Sequence, residues 1–154
     1  MIPDTYRAII YDLTTTLQDT SIDWAITGST SQALQGVSLT PNDIDVQTSE
    51  KGAFLIEERF AENVSDPVTY VESENMKSYL GELELHGISV EIIGDIQKRL
   101  NGEWESPVNV ADHRKYVQMK DLQVPVLSLE YEAKAYEQLG RNERAALLRE
   151  HIDT

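Results

Sequence analysis

The chain contains no cysteine. That absence excludes disulfide bridges, zinc–thiolate sites and thiol catalysis. Basic residues are scarce: 13 lysines and arginines stand against 27 aspartates and glutamates, a formal net charge of −14. A long nucleic acid needs a basic face to neutralise its phosphates. No basic stripe runs through this sequence, so a polynucleotide substrate is disfavoured. Long apolar runs are missing as well, and none approaches the roughly 20 residues that cross a bilayer. The opening Met1-Ile2-Pro3-Asp4 has neither the basic nor the apolar part of a signal peptide. The expectation is a cytoplasmic protein without membrane contact. His86, His113 and His151 are scattered and form no metal-ligand spacing. There are no internal repeats and no low-complexity tract.

What is present is acid, spread along the chain instead of held in one tail. A diffuse acidic surface keeps a chain soluble and repels other polyanions. It also suits a high-salt cytoplasm, and a halophilic source would make stability rise with salt as screening relieves self-repulsion. The 154 residues suit one domain, 1–154, with a real core and a helical C-terminal part over about 128–154.

Hydrophobic periodicity predicts a helix over 3–18, with Tyr6, Ile9, Ile10, Leu13 and Leu17 on one stripe. A strand over 22–27 and a short helix over 29–34, stopped at Gly36, follow. Residues 43–47 alternate strictly and read as a strand. A helix over 51–60 would bury Phe54, Leu55 and Phe60. Asp66-Pro67 marks a loop. Strands are expected over 68–71, 79–86 and 88–93, with Gly87 in a tight turn. Gly94-Asp95 then closes the sheet, and 96–100 forms one or two helical turns. Residues 101–120 read as loop with short strands. Two helices occupy 128–151, with Ser128 as N-cap and a break near Gly140-Arg141-Asn142. The predicted class is α/β (α+β), a mixed sheet flanked by helices with a short C-terminal helical pair.

Two segments carry the chemistry. In Asn42-Asp43-Ile44-Asp45-Val46, strand alternation turns both aspartates to one face, about 7 Å apart, with Ile44 and Val46 facing the core. Two carboxylates on an exposed face form a hard-oxygen site suited to magnesium. Two such ions bridge the attacking and leaving oxygens of phosphoryl transfer. The alternative is a solvated edge strand, since D-x-D arises easily in so acidic a chain. Upstream, Gly28-Ser29 lies between a strand end and a helix start, where backbone approaches a phosphate closely; a plain turn with Ser29 as N-cap is the competing assignment. On the strand 88–93, Glu91 faces away from Ile88, Val90 and Ile92. A lone glutamate there is costly without a partner. Metal ligation, a general-base role toward an acceptor hydroxyl, a salt bridge and an edge position all remain open. Trp24, Trp104, Tyr131 and Tyr136 read as core residues.

Gly28-Ser29, the carboxylates Asp43 and Asp45 after a short helix and loop, and an acid on a later strand resemble the nucleotidyltransferase superfamily that includes DNA polymerase β. The likeness is strongest to its small antibiotic and minimal members. The stretch Val124-Pro125-Val126-Leu127-Ser128-Leu129-Glu130-Tyr131-Glu132-Ala133-Lys134, with its lysine on the helix that follows the strand, adds to it. The resemblance implies a nucleotidyltransferase-type sheet and magnesium-dependent transfer of a nucleoside monophosphate from an NTP such as ATP to a small acceptor. It implies that Gly28 and Ser29 hold the triphosphate, that Asp43, Asp45 and Glu91 bind metal, and that Lys134 reaches a phosphate or braces the site. For Lys134 an ion pair with Glu130 is the alternative. Three departures are visible. Residues 37–42 carry no basic residue where many relatives have one. Beyond Gly140 the chain reads Asn142-Glu143-Arg144 where many carry lysine–aspartate. The spacing from Gly28-Ser29 to Asp43 exceeds that of the minimal group, which favours the antibiotic-transferase branch. A catalytically weak binding module, antitoxin-like or regulatory, is the alternative function, and a protein partner or homodimer stays open.

Overall fold

The computed structural model describes residues 2–152. In chain order it comprises α1 (Asp4–Leu17), β1 (Trp24–Thr27), α2 (Gly28–Leu34), β2 (Ile44–Thr48), α3 (Glu50–Arg59), β3 (Val64–Glu72), β4 (Met76–Leu85), β5 (Ile88–Leu100), β6 (Glu103–Trp104), β7 (Arg114–Met119), β8 (Leu122–Leu127), α4 (Leu129–Gln138) and α5 (Asn142–Ile152). The strands form one mixed sheet ordered β3-β4-β5-β2-β1-β8-β7, with β6 paired to β5.

Register follows from the need to bury one face. Val126, Ile26, Val46 and Ile92 lie in one row across β8, β1, β2 and β5. All four are buried, packed with Ile9, Ile10 and Leu13 of α1 and Ala53 and Ile56 of α3. The stripe of α1 matches its predicted period. One residue along, the next row points to the opposite face: Thr27, Asp45, Glu91 and Glu82, from β1, β2, β5 and β4. α4 and α5 pack on each other around Leu129, Ala133 and Leu148. Ser128 caps α4 by accepting a hydrogen bond from the Tyr131 N–H.

Several local expectations are corrected. Asp66-Pro67 is not a loop but part of β3, which lies at the sheet edge. Its pairing to β4 is irregular on both sides of Asp66, and an edge position tolerates a residue without an N–H. β5 does not end at Gly94-Asp95, and 96–100 is strand, not helix. A bulge absorbs the interruption: β5 spends three steps, Gly94 to Gln97, where β4 spends two, Tyr79 to Lys77. Asp95 there has φ +47°. In α3 the buried side is Gly52, Ala53 and Ile56, whereas Phe54 is exposed and meets Tyr79 edge-on. The tight turn is as expected, with His86 and Gly87 both at positive φ.

Gly94 lies directly beneath α3. A Cβ there would stand 2.8 Å from the Ser49 carbonyl oxygen and 3.0 Å from the Ala53 Cβ. Gly94→Ala is therefore expected to destabilise the fold by about 1–3 kcal/mol through overpacking. Urea unfolding checks this; an unchanged midpoint would contradict the close packing of α3 on β5.

Candidate active site

β2 and β5 run parallel with Asp45 directly opposite Glu91. Both side chains therefore leave the sheet on the face away from the core. Asp43 stands one residue before β2. α2 is stapled to that entry point. The Ser29 hydroxyl is 3.1 Å from both Asn42 Oδ1 and Asp43 Oδ1, and its oxygen accepts from the Asn42 N–H. Thr30 Oγ1 donates to the Asp43 carbonyl at 2.6 Å. Gly28 has φ +75°, and a Cβ on it would lie 2.9 Å from Asp45 Oδ2. Only glycine both adopts that backbone and leaves room for the carboxylate.

The electrostatics are those of crowded acids. Burial, then the charges of Asp43 and Glu91, push the Asp45 carboxyl up to about 7. Burial, then Asp43 and Glu82, raise Glu91 as well. Among the described residues, no lysine or arginine forms an ion pair with Asp43, Asp45 or Glu91. Nor do any three acidic or histidine side chains among them converge tightly enough to enclose a cation as placed. The donor set still suits one: hard oxygens, mutually repelling, which a divalent ion would neutralise.

Three polar residues to which the sequence assigns no role join this site. Glu132 of α4 is buried, with burial pushing its carboxyl up to about 7. Its Oε2 accepts from the Gly28 N–H at 3.2 Å and from Gln32 Nε2 at 2.7 Å, while Oε1 has no hydrogen-bond partner. The Gly28 amide is thus engaged by Glu132. Gln32, fully buried, accepts from Arg144 Nη1 of α5 at 2.6 Å. Glu132 was findable from periodicity, for it shares the inward stripe of α4 with Leu129, Ala133 and Tyr136. Lys98 is the third. Past the bulge the alternation of β5 switches, so Ile96 and Lys98 join Ile93 on the Asp45 side. Lys98 is only 4% exposed and pairs with Glu105 at 3.0 Å. Lys134 is exposed and lines an adjoining hollow together with Lys98 and Tyr131; no ion pair joins it to Glu130. Tyr131 and Tyr136 are half-buried and line the hollow beside Asp45, instead of filling the core. Trp24 is buried as expected, whereas Trp104 is half-buried beneath Lys77.

This sheet, with its helices and its carboxylate row, defines the nucleotidyltransferase class. The protein TM1012 of Thermotoga maritima, a provisionally named nucleotidyltransferase, is 44% identical over 99% of this chain and 96% of its own, with a TM-score of 0.88. The antibiotic-resistance factor ANT(2'')-Ia shares the fold at 12% identity. Its solution structure has a TM-score of 0.58 over 97% of this chain and 86% of that one. Its complex with adenylyl-2''-tobramycin gives 0.55 over 97% and 98%. No curated protein matches by sequence. The chain belongs to the aminoglycoside-2''-adenylyltransferase family, whose model matches residues 9–153.

The raised carboxyls have a consequence for stability. A carboxyl that titrates higher in the folded than in the unfolded chain contributes stability present below the ordinary range, near pH 4, and lost as pH rises through the folded value. For Asp45 and Glu132 that loss runs up to about pH 7. Without divalent ions, the melting temperature is expected to fall between about pH 5 and pH 8. Asp45→Asn should recover part of the fall at pH 8, by about 2–4 °C for each kcal/mol relieved in a chain of this size. An Asn variant melting at or below wild type at pH 8 would refute the crowding.

Proposed function

We propose that this chain transfers a nucleoside monophosphate from an NTP, ATP in the first instance, to a hydroxyl of a small cationic acceptor, with release of pyrophosphate. The observation that carries the proposal is the adjacency of Asp45 and Glu91 in register, with Asp43 held beside them through Ser29. Asp43, Asp45 and Glu91 would hold magnesium, which supplies Lewis-acid neutralisation of the triphosphate and of the developing charge. Ser29, already oriented by Asn42 and Asp43, would offer its hydroxyl to a phosphate oxygen. Gly28 would serve by making room for Asp45. Glu91, exposed on the open face, would alternatively take the proton of the acceptor hydroxyl.

The acceptor class follows from charge and kinship. Glu82 extends the carboxylate row one strand beyond Glu91, and a row of acids on an open sheet face attracts amines. The family description and the tobramycin adduct of ANT(2'')-Ia point the same way. Lys134 would reach phosphates only from the neighbouring hollow.

The test is nucleotide binding with magnesium, read as a thermal shift, followed by transfer of label from α-labelled ATP to tobramycin. Binding that requires magnesium is expected, with Asp43→Asn and Asp45→Asn abolishing it. Glu91→Gln should lower turnover by about 10²–10⁴-fold. The absence of any shift with all four NTPs, or a shift that survives both Asn substitutions, would overturn the metal-clamp mechanism.

A further inference from the structure

Resting on the magnesium reading just given, we propose that Arg144 and Gln32 are positioning residues for the metal site. Acting through Glu132, they fix the Gly28 turn and with it the place of Asp45.

Gly28 is where α4 and α5 gain a hold on the carboxylates. Its neighbour Thr27 pairs with Asp45 across β1 and β2. Gly28 itself stands so close that a Cβ on it would lie 2.9 Å from Asp45 Oδ2. A glycine has the widest choice of backbone conformations, so it does not hold a turn at φ +75° unaided. The bond from its N–H to Glu132 Oε2, at 3.2 Å, supplies the restraint.

Glu132 needs an anchor in its turn. Gln32 Nε2 donates to the same oxygen at 2.7 Å and to the Tyr136 hydroxyl at 3.0 Å. A primary amide has two N–H donors and one carbonyl oxygen, so both donors of Gln32 are spent on α4. Arg144 holds the other end, its Nη1 donating to Gln32 Oε1 at 2.6 Å. A guanidinium has no acceptor. A flipped amide would turn its NH2 toward that guanidinium and its oxygen toward the Glu132 carboxylate, so only one orientation serves both partners. Gln32 is fully buried, and a partner lost there is costly.

Arg144 acts from outside the site. It lines a separate hollow at the α4–α5 turn and is not on the wall beside Asp45. In a chain with 27 acidic residues, Arg144 forms no ion pair among the described residues and engages a neutral amide instead. That choice of partner fits an orienting duty better than a charge-balancing one.

The experiment measures ATP binding to the full chain across a magnesium titration. Arg144→Met cuts the outer end of the chain of bonds, and Gln32→Leu cuts its middle; neither residue is a proposed metal ligand. Each should raise the magnesium concentration for half-maximal binding by about tenfold, within the 10–100-fold typical of lost partners outside a metal's own ligands. Binding restored at saturating magnesium also shows that the variants are folded. Arg141→Met is the control. That arginine stacks on the same Tyr136 ring, its guanidinium carbon 4.8 Å from the ring centre, and carries the same charge, but its side chain makes no hydrogen bond to Gln32. Its magnesium requirement should match wild type. An unchanged requirement in Arg144→Met, an equal rise in Arg141→Met, or a loss of binding in Arg144→Met that no magnesium restores overturns the proposal. Wild-type protein that binds no ATP at any magnesium concentration overturns the metal-clamp reading itself, so the two failures are distinguishable.

Discussion

The molecule is organised around one unfavourable interaction, the mutual repulsion of acids that the backbone will not let separate. Parallel pairing of β2 with β5 makes Asp45 and Glu91 direct neighbours. The register cannot slip by one residue, because that would send Ile44, Val46, Val90 and Ile92 to the open face. The hydrophobic core thus enforces the proximity of the carboxylates. Burial of about twenty apolar side chains is far stronger than the few kcal/mol at stake between two half-solvated acids. The strain is not relieved locally, since no basic side chain among the described residues pairs with Asp43, Asp45 or Glu91. Such a site has the most to gain from a divalent cation and a triphosphate arriving together.

A second constraint comes from the C-terminal helices. Arg144 of α5, Gln32 of α2, Glu132 of α4 and the Gly28 amide form one hydrogen-bonded thread through the protein. Tyr136 joins it as a further acceptor from Gln32, with Arg141 and Arg144 against its ring. The helical pair is therefore joined to the turn that makes room for Asp45. Buried polar networks specify one arrangement strongly because each unmet partner is costly.

How far the sequence discloses this site depends on which physical rule governs each residue. Asp43 and Asp45 are legible because strand alternation needs no knowledge of the partner strands. Their adjacency to Glu91 is not, since it depends on which strands pair and in what register. Lys98 escaped because the bulge at Gly94-Asp95 reverses the alternation, and the same two residues suggested the end of the sheet. Phe54 reads from the sequence as a core residue because aromatic character outweighs the small residues Gly52 and Ala53, yet it lies on the exposed side of α3. Those small residues are what allow the helix close to the sheet. Pro67 suggested a loop because the rule against proline in strands is relaxed at an edge. Glu132 was legible, but a glutamate in an acidic chain draws no notice unless its place on the apolar stripe is checked.

The charge of the whole chain acquires a different meaning in this light. An excess of 14 negative charges would seem to work against a protein that handles triphosphates. Screening confines that repulsion to within about a nanometre of the surface at physiological salt, so the local arrangement decides. Along the row from β1 to β4, the side bordering α4 mixes apolar and aromatic side chains with Gln47, Lys98 and Glu132, and the side beyond Glu91 is acidic. Magnesium carried in with the nucleotide would compensate the carboxylates between them. Under the proposed function, the acid left uncompensated would face the acceptor, where it would favour cations and repel other anions.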